Sequence, residues 1–247
     1  MMLPHRAARL AAVLAASLLL AGCASQTVDG PGATGAAGEL ADELAGDTTL
    51  ETPSGGEQAS IAGQALEVLA TIPVQPRTEW DGPFDRVGSF GEGWGDPDGN
   101  GCDARNDALQ ANMEDERLLG DGCRVAEGTL NDLYTGDQVP FVKGDETSDD
   151  VQIDHVVALY NAWRTGAQNL SFEERMRLAN DPLNLQPTAD WVNDGKESKD
   201  ASQWLPPDAS YQCTYVARQI AVKATYRLWV TQAEHDAMAD VLAGCAG

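Results

Sequence analysis

The sequence contains few basic residues. Sixteen Lys and Arg stand against 39 Asp and Glu, which gives a formal net charge of -23 at pH 7. Proteins that attract nucleic acid through their general electrostatic field carry a basic surface, so this composition excludes that mode of binding. Any chemistry on a polyanion would need a bound cation and a few local Arg and Lys side chains to hold the phosphate.

Other features are also missing. No two cysteines have the C-x-x-C spacing, which argues against a cysteine-rich zinc site, and no internal repeat is present. The apolar stretch at residues 10–20 is too short to cross a membrane comfortably. Histidine is scarce, because only His155 and His235 follow the first 22 residues. Histidine chemistry in the remaining chain therefore depends on one of these two side chains.

The N-terminus has the pattern of a bacterial lipoprotein signal. Arg6 and Arg9 precede the apolar stretch, which ends at Leu20-Ala21-Gly22-Cys23. We predict that residues 1–22 are a signal peptide and that Cys23 carries a lipid, which would anchor the protein to the bacterial cell membrane in an extracytoplasmic position. An ordinary cleaved signal that happens to contain a cysteine is the alternative.

Residues 23–71 predict a flexible acidic linker between the lipid anchor and a folded domain. The first part is rich in Gly, Ala, Thr and acidic residues without a sustained apolar period. A short helix fits residues 59–72, limited by Gly63 and Pro73. Residues 72–247 are then the folded domain, which is long enough for one hydrophobic core.

The four cysteines after Cys23 predict disulfides, because their number is even and the chain is sent to an oxidising compartment. They are Cys102, Cys123, Cys213 and Cys245. Three pairings are open, and we favour Cys102 with Cys123 and Cys213 with Cys245, since each closes a local segment. Each bond would contribute about 3 kcal/mol, chiefly by restricting the unfolded chain.

The pattern of turns and capping residues predicts an α+β fold with little sheet. Short strands fit residues 124–130 and 138–142, which flank a turn, and residues 151–159 form the next apolar run. Capping boxes at Ser171 with Glu174 and at Thr231 with Glu234 each begin a helix, and residues 211–230 have helical spacing. The last two helices would form a hairpin that brings Cys213 close to Cys245.

The pair Asp154-His155 follows the short run Val151-Gln152-Ile153 and is the main candidate for chemistry. A carboxylate beside a histidine at a strand end can hold a hard cation with one side chain and activate water with the other. The alternative is a structural histidine in a strand, with its hydrogen bonds made within the fold. Asn184, Asn193 and Lys196 follow, and they too have simple alternatives as a turn, a helix cap and a solvated charge. Together they indicate a metal-dependent nuclease site.

Several segments, in this order and spacing, resemble the secreted HNH endonucleases of actinobacteria, within the group called domain of unknown function 1524. They read Asp154-His155-Val156-Val157, Ala179-Asn180-Asp181-Pro182-Leu183-Asn184-Leu185, Asn193-Asp194-Gly195-Lys196 and Trp204-Leu205-Pro206-Pro207, with Gly101 to Asp107, Gly128 to Leu130 and Tyr134-Thr135-Gly136 upstream. The resemblance covers most of residues 80–245.

The resemblance implies a ββα-metal core, in which two strands and a helix surround one divalent cation, with additional helices around it. It gives His155 the role of general base, Asp154 that of a metal ligand, and Asn184 that of orienting the histidine and its loop. Asn193 stands where the last histidine of the motif is usual and would be the second metal ligand. An amide oxygen suits Mg²⁺ or Mn²⁺ better than zinc.

Three basic residues are candidates for holding the substrate phosphate. Lys196 and Lys199 lie beside Asn193, and Arg105 is a further candidate. For each lysine the alternative is an ordinary solvated side chain.

A second constellation imitates a calcium loop through Asp96, Asp98, Asn100 and Asp107. These would supply the oxygen ligands of a structural Ca²⁺. Asp replaces the usual bidentate Glu at the last position, and the alternative is an Asx/Gly turn leading into a helix.

The sequence thus predicts a lipid-anchored, extracytoplasmic endonuclease that hydrolyses DNA, with RNA as a second substrate to test, and no protein partner is evident. The main rival is a non-catalytic envelope lipoprotein that binds calcium or a protein. A phosphodiesterase acting on another phosphate polymer of the envelope is a third interpretation.

Overall fold

The computed structural model describes residues 35–46, 55–80 and 82–245. The predicted signal peptide, Cys23 and residues 23–34 and 47–54 of the expected linker lie outside the described residues. Nine α-helices and five strands are present in the described ranges: α1 Ala36–Gly46, α2 Gly55–Leu69, α3 Arg86–Phe90, α4 Ala104–Asn112, β1 Met113–Leu118, β2 Val125–Asn131, β3 Gln138–Val142, β4 Val151–His155, α5 Leu159–Arg164, α6 Phe172–Asn180, β5 Leu185–Ala189, α7 Asp190–Lys196, α8 Gln212–Thr225 and α9 Gln232–Cys245. Among these residues no helix combines the length and apolarity needed to cross a membrane.

The strands form two small antiparallel sheets, so the predicted α+β class is confirmed. One sheet has the order β1-β2-β3, and the other consists of β4 and β5 alone. Val151 pairs with Ala189 and His155 with Leu185, so the last residue of β4 lies opposite the first residue of β5. Helix α7 begins directly after β5 and contacts both strands. The three elements make a ββα unit.

An apolar cluster fills the space between the two sheets and helix α4. It includes Leu109, Val125, Leu130, Ile153 and Leu185. The buried carboxylate of Asp132 adds a polar connection, because it accepts hydrogen bonds from the Thr188 hydroxyl at 2.9 Å and the Ala189 amide at 3.0 Å. Asp132 directly follows β2, so these hydrogen bonds attach β5 to the three-stranded sheet.

Helix α8 lies at the centre of the larger core. Its residues Tyr215, Val216, Ile220 and Val222 are fully buried, and α2, α1 and α9 pack against it. Both predicted capping boxes are present: Ser171 and Glu174 exchange side-chain hydrogen bonds at the start of α6, and Thr231 and Glu234 do so before α9. The C-terminal pair of helices is therefore confirmed, together with the residues that begin it.

Both favoured disulfides are present. Cys102 is joined to Cys123, with a Cα–Cα distance of 5.2 Å, and Cys213 to Cys245, at 6.1 Å. The first connects the N-terminal side of α4 to the start of β2. The second connects the first turn of α8 to the end of α9 and closes the helical hairpin.

The expectation of a flexible linker extending to residue 71 is wrong for residues 36–46 and 55–69, although the short helix expected over residues 59–72 overlaps the second range. These form α1 and α2, whose side chains Leu40, Ile61, Ala65 and Leu69 are buried in the main core. The abundance of alanine, which suggested a spacer, lets these helices approach α8 closely, and their few larger apolar residues recur at helical spacing. The folded unit therefore includes both helices.

Strand β1 was not expected from the sequence. Its residues MEDERL are mostly charged, and every residue after Met113 is exposed. The strand forms because its backbone pairs with β2 at the edge of the sheet, where charged side chains face solvent and oppose pairing with another chain.

Candidate active site

Three of the four predicted site residues line one cavity of about 210 Å³. Asp154 and His155 come from the end of β4, and Asn193 comes from α7. The ββα arrangement explains why these residues are close together. Strand β5 runs antiparallel to β4, and α7, which begins directly after β5, runs back toward the end of β4. Asn184 is fully buried and lies outside the lining of the cavity.

The His155 ring is held on two sides. Its Nε2 lies 2.9 Å from the carbonyl oxygen of Ala179, in the last turn of α6, and the Trp94 ring stacks on it with centroids 5.7 Å apart and planes 10° apart. A carbonyl can only accept a hydrogen bond, so Nε2 carries the proton. The lone pair is then on Nδ1, which makes no hydrogen bond to any residue that the structure describes.

The environment keeps this imidazole neutral. Burial lowers the pKa of His155 to about 4, and the charges of Arg86 and Lys196 act in the same direction, while the Ala179 carbonyl opposes them. At neutral pH the ring therefore has a free lone pair that can accept a proton from water.

Asp154 is 3% exposed, and both of its carboxylate oxygens have partners. Oδ1 accepts a hydrogen bond from Lys196 Nζ at 2.9 Å, and Oδ2 accepts one from the Tyr134 hydroxyl at 2.7 Å. Burial raises the pKa of Asp154, and the Lys196 ammonium and Tyr134 hydroxyl counteract the rise. Each oxygen retains a further lone pair that can face a cation.

The prediction that Lys196 contacts the substrate phosphate is wrong. Its side chain is fully buried, and Nζ bonds both Asp154 and the His155 carbonyl oxygen, the latter at 2.8 Å. Lys196 lies on the face of α7 that packs against β4, so its ammonium group pairs with the Asp154 carboxylate and does not face solvent. A buried ion pair of this kind fixes the end of β4 against α7.

Asn193 is oriented by Gln152, whose side-chain oxygen accepts a hydrogen bond of 2.7 Å from Asn193 Nδ2. This leaves the Asn193 amide oxygen available as a ligand. One carboxylate and one amide oxygen suit a hard cation such as Mg²⁺, which commonly keeps several waters and binds substrate phosphate. Among the described residues no group of three or more His, Cys, Asp and Glu could hold a metal ion, so a zinc cluster does not fit.

Asn184 joins the segment after His155 to the end of α6. Its Oδ1 accepts a hydrogen bond from the Val157 amide at 2.8 Å, and its Nδ2 donates to the Leu178 carbonyl at 3.1 Å. The carbonyls at the end of a helix lack partners within the helix. Those of Leu178 and Ala179 are used here to anchor Asn184 and His155, respectively.

The structure does not place Arg105 in the wall of the His155 cavity, and a phosphate contact by this residue stays a prediction. Its Nη2 donates to the carbonyls of Ser148 and Val151, both at 3.0 Å. Burial lowers the pKa of this guanidinium. Arg105 therefore fixes the beginning of β4.

Lys199 lies outside the His155 cavity, in the wall of a neighbouring one of about 220 Å³. Its Nζ donates to the Gly195 carbonyl at 2.8 Å and lies 3.5 Å from the Glu197 carboxylate. Lys199 is partly exposed.

The predicted calcium loop has the turn geometry that was its alternative. The Asp96 carboxylate accepts hydrogen bonds from the amides of Gly99, Asn100 and Gly101. The side-chain nitrogen of Asn100 donates hydrogen bonds to the carboxylates of Asp98 and Asp107, at 3.0 and 3.2 Å. It therefore occupies the space between these two carboxylates. The calcium interpretation gains no support from this arrangement.

Four residues at the site were not identified from the sequence: Arg86, Trp94, Tyr134 and Gln152. Arg86 is exposed, lines the cavity and forms no ion pair with a described residue. Tyr134 lies within one of the segments that resemble the nuclease family, and that position could have indicated a role at the site. The other three are distant from the motif or make contacts that depend on the register of the strands, which the sequence does not reveal.

Comparison with known proteins gives two findings. Residues 103–241 match the family described as the C-terminal domain of GmrSD restriction endonucleases. An uncharacterized secreted protein of Arthroderma benhamiae is 36% identical over 146 residues, which are 58% of this chain and 68% of that protein. No solved structure matches the chain. The family match includes β4, β5, α7 and therefore the whole ββα unit.

Proposed function

Since the chain belongs to the family of GmrSD restriction endonuclease C-terminal domains, we propose that it is an HNH-type, metal-dependent endonuclease that hydrolyses phosphodiester bonds of DNA, with His155 as the general base. The observation that carries this proposal is the anchoring of His155 Nε2 on the Ala179 carbonyl. It leaves Nδ1 as the basic nitrogen of a residue that lines the same cavity as Asp154 and Asn193.

His155 performs the central step. A water molecule next to Nδ1 gives its proton to the imidazole as its oxygen forms a bond to phosphorus, and the bond from phosphorus to the 3′ oxygen breaks. The products are a 5′-phosphate and a 3′-hydroxyl, which takes its proton from solvent. The hydrogen bond to Ala179 and the stacked Trp94 hold the ring during this transfer.

Asp154 and Asn193 are the residues that would hold the cation, Mg²⁺ or Mn²⁺. When bound, this ion supplies electrostatic stabilisation of the phosphate and the leaving oxygen. Lys196 and Tyr134 hold the Asp154 carboxylate in place, and Gln152 holds Asn193. Arg86, at the cavity wall, replaces Lys196 and Arg105 as the phosphate contact in this proposal.

Plasmid cleavage with a His155→Ala variant tests the proposal. We expect cleavage with Mg²⁺ or Mn²⁺, loss of cleavage with EDTA, and a decrease of about 10²- to 10⁴-fold for His155→Ala. The matched control is His235→Ala, on α9 and paired with Asp236, which should retain activity. RNA serves as a second substrate. Inactivity of the wild-type protein across metals on both nucleic acids would favour a binding protein, and cleavage of teichoic-acid-like polymers instead would favour the envelope phosphodiesterase.

We also propose that the protein acts outside the cytoplasm, anchored through a lipid on Cys23. A secreted relative and two disulfides support an oxidising location. Metabolic labelling with a fatty-acid analogue and membrane fractionation test the anchor. Label and membrane association should both be lost in Cys23→Ser, whereas a label that persists in this variant would refute lipidation at this residue.

A further inference from the structure

A second cavity, of about 220 Å³, adjoins the one that contains His155. The two cavities share Tyr160, Glu197 and Ser198 in their walls. We propose that this second cavity, here called the cationic cavity, binds a backbone phosphate of the nucleic-acid strand adjacent to the phosphodiester that is cleaved. This inference rests on the proposed nuclease function and assigns it a substrate-binding subsite.

The charge of the lining supports this assignment. Arg77, Arg164 and Lys199 contribute three cationic side chains, while Glu197 contributes one carboxylate and the buried Asp200 pairs with Arg77, so one positive charge is in excess. The chain as a whole carries a formal net charge of -23, so its general field repels a polyanion. A local cluster of cations connected to the reaction cavity provides the attraction that the overall composition does not.

Arg164 is the best placed of the three. Its Nε donates to the Thr78 carbonyl at 3.0 Å, and its guanidinium lies 5.9 Å from the centre of the Tyr160 ring. Within the described residues neither terminal nitrogen has a hydrogen-bond partner and no carboxylate is paired with it. The side chain is therefore oriented, charged and able to give two hydrogen bonds to a phosphate.

Arg77 and Lys199 complete the cavity in different ways. Arg77 is paired with the buried Asp200 and donates to Gln203 at 3.0 Å, so it is rigid, and its buried Nε has no hydrogen-bond partner in the described residues. Lys199 retains 38% of its side-chain exposure and can turn toward a ligand. Because the cationic cavity begins where the His155 cavity ends, a strand with its reacting phosphate at His155 continues toward these side chains.

The experiment compares a long and a minimal substrate. An oligonucleotide has neighbouring phosphates, whereas bis(p-nitrophenyl) phosphate offers a single phosphodiester. For Arg164→Gln we expect KM for the oligonucleotide to rise about tenfold with kcat nearly unchanged, as for the loss of a charge-assisted contact. The slope of log KM against log salt concentration should fall in magnitude by about 0.7 to 0.9, as for one phosphate contact. Cleavage of the minimal substrate should not change.

Two further variants make the test specific. Arg117→Gln on β1 removes the same charge from an exposed position in the edge strand, and its KM should remain that of the wild-type protein. Glu197→Gln removes the carboxylate from the shared wall and should lower KM for the oligonucleotide at low salt. Lys199→Gln repeats the measurement if Arg164→Gln does not fold, as judged by its thermal unfolding.

The outcomes separate this inference from the proposed function. If the wild-type protein cleaves both substrates and Arg164→Gln behaves like Arg117→Gln, the cationic cavity is not a phosphate subsite although the enzyme is a nuclease. Equal losses on both substrates would also overturn the inference, because they would place Arg164 at the reacting phosphate. A wild-type protein that cleaves neither substrate would overturn both proposals.

Discussion

The ammonium of Lys196 lies 2.9 Å from the carboxylate of Asp154, and both side chains are buried between β4 and α7. Removing one partner of such a pair leaves the other charge buried without compensation. We expect Lys196→Met to lower the free energy of unfolding by about 3–5 kcal/mol, measured by urea denaturation.

A double-mutant cycle with Asp154→Asn checks the cause of that loss. The amide can keep a hydrogen bond with Tyr134 but carries no charge, so Asp154→Asn combined with Lys196→Met should be less destabilised than the sum of the single variants. Additive losses would show that the two side chains do not stabilise each other.

Asn184→Asp tests the connection between the base histidine and α6. The substitution is nearly isosteric, but it replaces the donor that faces the Leu178 carbonyl with a carboxylate oxygen. Because Asn184 is fully buried, we expect a loss of about 2–4 kcal/mol in unfolding free energy and a fall in nuclease activity at temperatures where the variant is folded. The exposed Asn169→Asp is the control, and equal stability of the two variants would contradict this role.

Gln152→Leu tests how Asn193 is oriented. Without the Gln152 oxygen, the Asn193 amide loses the hydrogen bond that directs its nitrogen away from the cation. We expect the Mg²⁺ concentration for half-maximal cleavage to rise about 10- to 100-fold, the range for residues that orient metal ligands. Metal titrations of activity measure this, with Gln138→Leu on β3 as the control. An unchanged metal requirement would remove Asn193 from the ligand set.

Glu174 gives a prediction for acid stability. The Ser171 backbone amide, then the Arg227 side chain, lower the pKa of Glu174 to about 2, from an ordinary value of 4.5. The folded state therefore favours the ionised form. Its stabilisation is complete above pH 4.5 and is lost as the pH falls toward about 2.

Urea midpoints measured against pH test this prediction. Glu174→Gln should lose less stability between pH 4.5 and 2 than the wild-type protein loses. Glu173→Gln is the matched control on the same turn, since its carboxylate pairs with Arg177 and not with the backbone. If the two variants have the same pH dependence, the capping box is not the source of the effect.

The features that the sequence predicted well depend on neighbours along the chain. The capping boxes at Ser171 and Thr231 each act within one helical turn, and the disulfide between Cys213 and Cys245 followed from two adjacent helices. The resemblance carried by Asp154-His155, Asn184 and Asn193 implied a strand, a second strand and a helix. Their backbone positions then followed from antiparallel pairing.

The features that it did not predict depend on which side of an element faces the core. Lys196 and Arg105 have the composition of phosphate contacts, but α7 and α4 turn them toward buried carbonyls and a carboxylate. Arg86, Arg77 and Arg164 were missed because they approach the cavities from three separate segments, namely α3, the stretch between α2 and α3, and α5. Helix α1 was mistaken for a spacer because alanine is common both in linkers and in closely packed helices, whereas the short helix expected over residues 59–72 overlaps most of α2.

The packing of α1 and α2 on α8 has a practical consequence for work with this protein. The family match begins at residue 103, yet Leu40, Ile61 and Leu69 lie in the same hydrophobic core as Tyr215 and Ile220. A recombinant fragment cut at the family boundary would expose that apolar surface to water and would tend to aggregate. Expression should therefore start ahead of Ala36, so that α1 and α2 remain packed over the apolar surface of α8.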